Sequence, residues 1–391
     1  MQEIIITNKE NIKQIMLVEN GKMLEHYQED NTHSRLEGNI YIGKIRNILP
    51  GMQAAFVDIG EGKNTFIQVK DLQKKEDETK VQTEIKDIKE VAKIGMQLIV
   101  QVKKDANHKK GAKVSTHISL PGKYMVYMPE TDFITISQKI TDEKQKQELK
   151  QFVKQILPKG AGAIIRTSAS GAKYEQIEEE ANQLKQKWQE IKNKAEQSTE
   201  LGKIYESETV TEKLIQDTIS QKIEKITVDT EEDYSEIEQI LKKHKEYEKI
   251  KLEKVQDSTE KYTLRKQLEQ LTSRKIWLKC GGFITIDKTE ALTAIDVNSG
   301  KYTGKINQEQ TIYTVNKEAT EEIAKQLRLR DIDGIIIIDY IDMQTEESRE
   351  KIKELLKENL KKDRSKTQIL EFTKLNLLEL TRKHMFSNIN K

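Results

Sequence analysis

Residues 289–305 read TEALTAIDVNSGKYTGK, and residues 323–343 read IAKQLRLRDIDGIIIIDYIDM. Each stretch carries an apolar run into an aspartate: ALTAID ends at Asp296 and GIIIID at Asp339. GIIIIDYI, over 334–341, is continuously apolar, the pattern of a strand buried on both faces. Between the two runs, across Gln308–Arg328, the positions Ile312, Val315, Ala319, Ile323 and Leu327 recur at helical spacing and form one stripe. Strand, helix and strand make an α/β unit, and ligands of such sheets bind beyond the carboxyl ends of the strands. Two carboxylates delivered there by neighbouring strands repel each other unless a cation lies between them. Magnesium suits such a pair: it takes one or two carboxylates, keeps several waters and bridges to phosphate. Asn298, two residues past Asp296, shares its side of an extended strand and can orient a ligand or a water. Singly, either aspartate reads more readily as a cap on a turn or helix. Together, with Asn-Ser-Gly after one and four isoleucines before the other, they favour a shared Mg²⁺ site. Asp342 is assigned to capping the next helix, and Asp287 and Glu290 receive no role.

Outward from this core, WLKCGGFITI (277–286) adds strand character upstream. Downstream, Glu346–Leu360 reads as a helix, TQILEF (367–372) as a strand and Leu377–His384 as a last helix. The chain opens with strands at Glu3–Thr7, Gln14–Glu19 and Lys22–Tyr27, the last two joined by Asn20-Gly21, whose tolerance of positive φ makes a hairpin. Between 38 and 120 come NIYIGKIRNI, QAAFVDIG, NTFIQV, GMQLIVQV and AKVSTHISL. These short strands, with the charged excursion KKEDETKVQTEIKDIKE (74–90) among them, suit a small closed barrel of the OB type. Mixed elements follow: strands in YMVYMP, FITIS and GAIIRT, helices over Asp142–Leu157 and Tyr174–Ala195, and a Lys- and Glu-rich stretch to Thr272.

Lys and Arg total 67 against 65 Asp and Glu, so the net charge of +2 leaves any polyanion surface to local clustering. One cysteine, Cys280, rules out an internal disulfide and a cysteine-rich zinc site within the chain. No apolar run approaches a membrane span and MQEIIITNKE has no signal core, so a cytoplasmic location is expected. Six histidines lie scattered without ligand spacing, against zinc motifs and against two-histidine acid–base chemistry. In the barrel segment, Phe56 and Phe66 fall on consecutive strands, and Lys103, Lys104, His108, Lys109, Lys110 and Lys113 cluster near its last turn. Aromatic faces in a basic groove bind single-stranded nucleic acid, though the same residues also read as core and solvated loop.

The blocks 289–305 and 323–343 resemble the catalytic core of the ribonuclease E/G family, and the spacing between them fits. The likeness extends over nearly the whole chain. Residues 38–67, GNIYIGKIRNILPGMQAAFVDIGEGKNTFI, resemble its S1-type OB-fold domain. Residues 162–171, GAIIRTSASG, resemble its 5′-sensor, and TKLNLLELTRK (373–383) resembles the stretch before its zinc-link.

The resemblance implies an α+β/α/β multidomain fold. An S1-type OB-fold barrel (36–119) is inserted in a ribonuclease-H-like subdomain (1–35 plus 208–272), followed by a 5′-sensor (120–207) and a DNase I-like catalytic domain (273–391). It implies an endoribonuclease of RNA processing and decay, with Asp296 and Asp339 holding Mg²⁺ and Asn298 supporting them. Cleavage of single-stranded RNA would leave 5′-phosphate and 3′-hydroxyl ends. Phe56, Phe66 and Lys110 match positions that contact RNA; Arg166 and Thr167 match residues that grip a 5′-monophosphate, and the backbone of Val126 contributes to that pocket. A guanidinium beside a hydroxyl suits phosphate. Arg328 and Arg330 are candidates for stabilising charge on the phosphate, or else for capping their helix. Relatives bind Zn²⁺ between protomers through Cys-Pro-x-Cys, whose ligands are absent here, so a homodimer would not be zinc-linked. A non-catalytic RNA-binding or scaffolding protein and a DNA nuclease are the competing readings.

Overall fold

The computed structural model describes residues 2–30, 35–72, 87–106, 111–218, 223–242, 245–300 and 308–383. The chain divides into two compact units, Met1–Thr32 with Gln221–Ile389, and His33–Ser220.

The first unit begins with β1 (Gln2–Lys9), β2 (Ile12–Glu19) and β3 (Lys22–Asp30). Asn20 and Gly21 turn the β2–β3 hairpin with φ of 49° and 77°, as the Asn-Gly pair predicts.

In the second unit, β4 (Ile40–Leu49), β5 (Ala54–Asp58), β6 (Thr65–Gln68), β7 (Gln97–Lys104) and β8 (Lys113–Ser115) close into a five-stranded barrel through β4–β7 pairing. Short helices α1 (Val69–Leu72) and α2 (Ile88–Val91) accompany it. Tyr41, Ile45, Val57, Ile67, Val100 and Val114 fill the interior. Gly43 is required there: a Cβ would stand 2.6 Å from Val57 Cγ1. A second sheet holds β9 (Leu120–Pro121), β10 (Met125–Met128), β11 (Ile134–Ile136) and β12 (Gly162–Ile165) in the order β11-β12-β10-β9. Helix α3 (Glu143–Ile156), capped by Asp142, and α4 (Tyr174–Gln197) pack with it through Leu149, Val153, Ile177, Ala181, Leu184 and Trp188. Strand β13 (Gly202–Tyr205) joins β4, and α5 (Val210–Thr218) ends this part.

The chain then completes the first unit. β14 (Ile223–Val228), α6 (Glu231–Lys242) and β15 (Lys251–Lys254) give a sheet ordered β15-β14-β1-β2-β3, followed by α7 (Leu264–Gln270). The last sheet is built from β16 (Lys275–Trp277), β17 (Phe283–Lys288), β18 (Leu292–Asn298), β19 (Gly334–Asp339), β20 (Thr367–Phe372) and β21 (Leu377–Arg382), ordered β16-β17-β18-β19-β21-β20. Helices α8 (Gln308–Leu329) and α9 (Glu346–Leu360) cover one face. Of the predicted stripe, Val315, Ala319, Ile323 and Leu327 are fully buried there, against Ile295, Ile336, Ile338, Leu378 and Leu380, and Ile312 is partly buried.

Two expectations are corrected. GIIIID is buried on one face only: Ile336 and Ile338 are inaccessible, whereas Ile335 is 51% exposed. The helices cover a single side, so the apolar run alternates in burial although not in chemistry. Leu377–Arg382, expected as a helix, is strand β21, paired antiparallel with both β19 and β20. Its inward positions Leu378, Leu380 and Arg382 follow period two, and the buried Arg382 guanidinium meets Asp363 and Asp331 at 2.7 Å each. His384 lies outside the described residues. Among the described residues no helix is long and apolar enough to cross a membrane.

Candidate active site

Strands β18 and β19 run parallel and in register, with Asp296 opposite Asp339. Alternation puts Thr293, Ile295 and Val297 on the helix side and Ala294, Asp296 and Asn298 on the open side. Both aspartates are exposed at the carboxyl ends of their strands. They share a cavity of about 420 Å³ lined by Asp296, Asn298, Ser299, Asp339, Asp342 and Leu375 among others. Asn298 Nδ2 donates to Asp296 Oδ2 at 2.5 Å, so the asparagine orients the carboxylate two residues before it.

Asp342 caps no helix. Thr345 does that, its side chain accepting from Ser348 N. Asp342 instead faces the cavity and accepts from Asn376 Nδ2 at 3.2 Å. The turn that carries it is clamped from below. Asn316, fully buried on α8, donates through Nδ2 to Ile341 O (2.7 Å) and accepts from Ile341 N (3.1 Å). The Asp339 carboxyl is pushed up, first by partial desolvation at the cavity wall and then by the negative charges of Asp296 and Asp342.

These are hard oxygen donors that repel one another, beside a cavity with room for a hydrated ion. Among the described residues no three or more His, Cys, Asp or Glu gather to hold a metal by themselves. A cation at the pair would keep waters of its own, which is the habit of Mg²⁺. The donor set fits it.

Arg328 and Arg330 do not reach this cavity. They sit at the end of α8, which returns the chain to the start of β19, the strand end opposite Asp339. Arg328 pairs with the buried Glu25 at 2.6 Å. Arg330 donates to Gln326 Oε1, Ser273 O and Gln270 O. Asp287 holds Arg274 through two bonds of 2.5 and 2.7 Å.

The remaining predicted residues lie in the second unit. Phe56 and Phe66 are register partners on β5 and β6, edge to face with centroids 6.1 Å apart. Each is half-buried, and neither is among the fully buried residues of the barrel core. Lys110 lies outside the described residues, with Lys109 and His108. Lys113 pairs with Asp71 at 2.9 Å, and Lys103 donates to Gln101 and Ser119.

Arg166 follows β12 and Val126 lies on β10, whose backbones pair. The Arg166 guanidinium donates to Asp217 Oδ1 at 2.6 Å and to Gly122 O at 2.7 Å. The Thr167 hydroxyl meets that of Ser137 at 2.8 Å. Asp217, Asn316, Asp342 and Leu375 went unassigned or misassigned in the sequence. Only Asp342, three residues past Asp339, carried a local signal.

A sequence model of the Ribonuclease E/G family matches residues 119–385. Ribonuclease G of Haemophilus influenzae is 36% identical over 389 residues, spanning 97% of this chain and 79% of that protein. Ribonuclease G of Escherichia coli K12 is 34% identical over 397 residues, with 99% and 81% covered. Ribonuclease E of a Nostoc species is 31% identical over 391 residues, covering 96% of this chain and 56% of that protein.

Proposed function

The chain belongs to the ribonuclease E/G family, and on that premise we propose that it is a Mg²⁺-dependent endoribonuclease acting on single-stranded RNA. The observation that carries this reading is the in-register Asp296–Asp339 pair at the carboxyl edge of an α/β sheet, with Asn298 bonded to Asp296. Asp296 and Asp339 would hold the ion. A Mg²⁺ ion held there would supply positive charge to the phosphate and a more acidic water as nucleophile. Asn298 fixes the Asp296 carboxylate so that little reorganisation is needed on binding. Asp342, held by Asn376, adds negative charge beside the pair, and the Asn316 clamp keeps the Asp342 turn in place. Cleavage leaves 5′-phosphate and 3′-hydroxyl ends.

In the second unit we assign Phe56 and Phe66, with Lys110, to stacking and charge contacts along the strand. Arg166 and Thr167, beside the Val126 backbone, take a 5′-monophosphate, for which Asp217 is the built-in competitor. The layout is read as an S1-type barrel at 36–119 within a ribonuclease-H-like subdomain (1–35, 208–272), a 5′-sensor at 120–207 and a DNase I-like domain from 273. The test offers the purified chain an A/U-rich single strand as 5′-monophosphorylated RNA, 5′-hydroxyl RNA and DNA, with product ends mapped. The RNA should be cut, the monophosphorylated form faster, and an Arg166→Gln variant should lose that preference. Equal cleavage of DNA, or products with 5′-hydroxyl ends, would contradict the reading.

A further inference from the structure

The open face of the β16–β21 sheet carries a second feature beside the acidic pair. Cross-strand partners share a face, so the register defines two adjacent rows. One runs Lys275, Thr285, Asp296, Asp339, and the other runs Trp277, Phe283, Asn298. Trp277 is 62% exposed, whereas the chain's other tryptophan, Trp188, is buried. The Trp277 ring meets Phe283 at a centroid distance of 5.3 Å and an interplanar angle of 64°. The Lys275 ammonium lies 4.2 Å from the Trp277 centroid and 3.5 Å from that of Phe283. Arg274, next along, is exposed and pairs with Asp287.

Core packing accounts for none of the exposed indole area. A large ring on an edge strand, steadied by a second ring and a cation, is a preformed flat surface with one side in water. Aromatic surface bordered by positive charge is how proteins hold single-stranded nucleic acid. We propose that Trp277, backed by Phe283 and Lys275, is a stacking platform for a nucleobase next to the scissile phosphate at the Asp296–Asp339 site. The proposal rests on the endoribonuclease reading above. Neighbouring strands lie about 4.8 Å apart, so the Trp277 backbone is roughly 10 Å from that of Asn298, within reach of an adjacent nucleotide. Stacking accepts any base, so the platform supplies affinity and register rather than sequence preference.

The test uses the full chain carrying Asp339→Asn to block cleavage, titrated with a fluorescein-labelled single-stranded decaribonucleotide. Adding Trp277→Ala should weaken binding roughly five- to a hundredfold, while Trp277→Phe, which keeps an aromatic face, should retain most of the affinity. One abasic nucleotide, stepped along the probe, should at one position cost as much as Trp277→Ala and nothing further when combined with it. Affinity of Trp277→Ala within about twofold of its parent overturns the platform while leaving the nuclease reading intact. A chain without the Asp339 substitution that neither binds nor cuts the RNA overturns both. If Trp277→Ala changes only the sedimentation of the free protein, the surface belongs to a second copy and the stacking role is overturned.

Discussion

Asp296 and Asp339 draw their chemistry from register: one position of slip would turn one of them towards the helices and dismantle the pair. Both were legible in the sequence because each ends an apolar run, and Asn298 was legible because two residues along a strand return to the same face. Asp342 was visible yet misread as a cap, since an aspartate before a helix usually is one; Thr345 fills that place. Asn376, its partner, gave no signal, because the contact joins loops 34 residues apart. With the carboxylates repelling one another, cation binding should raise the melting temperature. At a hundredfold excess over Kd the gain is about 2.7 kcal/mol. Thermal melts with and without Mg²⁺ should show that gain in the parent and lose it in Asp296→Asn. Asn298→Ala should weaken the apparent Mg²⁺ affinity about 10- to 100-fold. A parent whose melt ignores Mg²⁺ would remove the metal from the account.

Helix α8 was read from its stripe alone, because burial on one face leaves a 3.6-residue period whatever lies around it. Strand β19 was recognised but given two buried faces, since four isoleucines in a row conceal which of them face out. The open face is what leaves Asp296 and Asp339 in reach of a substrate, so the point bears on function. Urea denaturation separates the alternatives. Ile338→Ala should cost about 2–5 kcal/mol and Ile335→Ala less than about 1 kcal/mol, whereas comparable losses would restore a two-sided strand. Strand β21 was mistaken for a helix because LLELTR is too short to set period two apart from 3.6. Its identity comes from pairing with β19 and from the buried Arg382 between Asp331 and Asp363.

Across the first unit, the chain's beginning is tied to its end. Glu25 on β3 is fully buried, accepts from Arg328 at 2.6 Å and from Arg364, and is bonded by the Tyr27 hydroxyl at 2.9 Å. Local pattern could announce neither this triad nor the parallel β1–β14 pairing, which joins segments more than two hundred residues apart. The closed barrel of the second unit was legible, because turn residues punctuate its strands. Burial alone would raise the Glu25 carboxyl, but Arg364 and Arg328 outweigh it and hold the group below its ordinary 4.5. A depressed folded pKa gives stability that is complete above the unfolded value and is lost as pH falls through the folded one. Acid titration of stability should therefore steepen below about pH 4.5 in the parent. Glu25→Gln should be less stable at neutral pH and shallower in acid; an unchanged acid limb would exclude the triad as a source of that stability.

The central claim, that this fold cuts RNA through the strand-end carboxylate pair, meets its most direct test in one side-by-side assay. Parent and Asp339→Asn chains are incubated with a 5′-monophosphorylated, A/U-rich single-stranded RNA, each with and without Mg²⁺. The account predicts internal cleavage by the parent only with Mg²⁺, and a loss of at least roughly 10²-fold in the variant. Equal cleavage by the two proteins, or none by either, would contradict it.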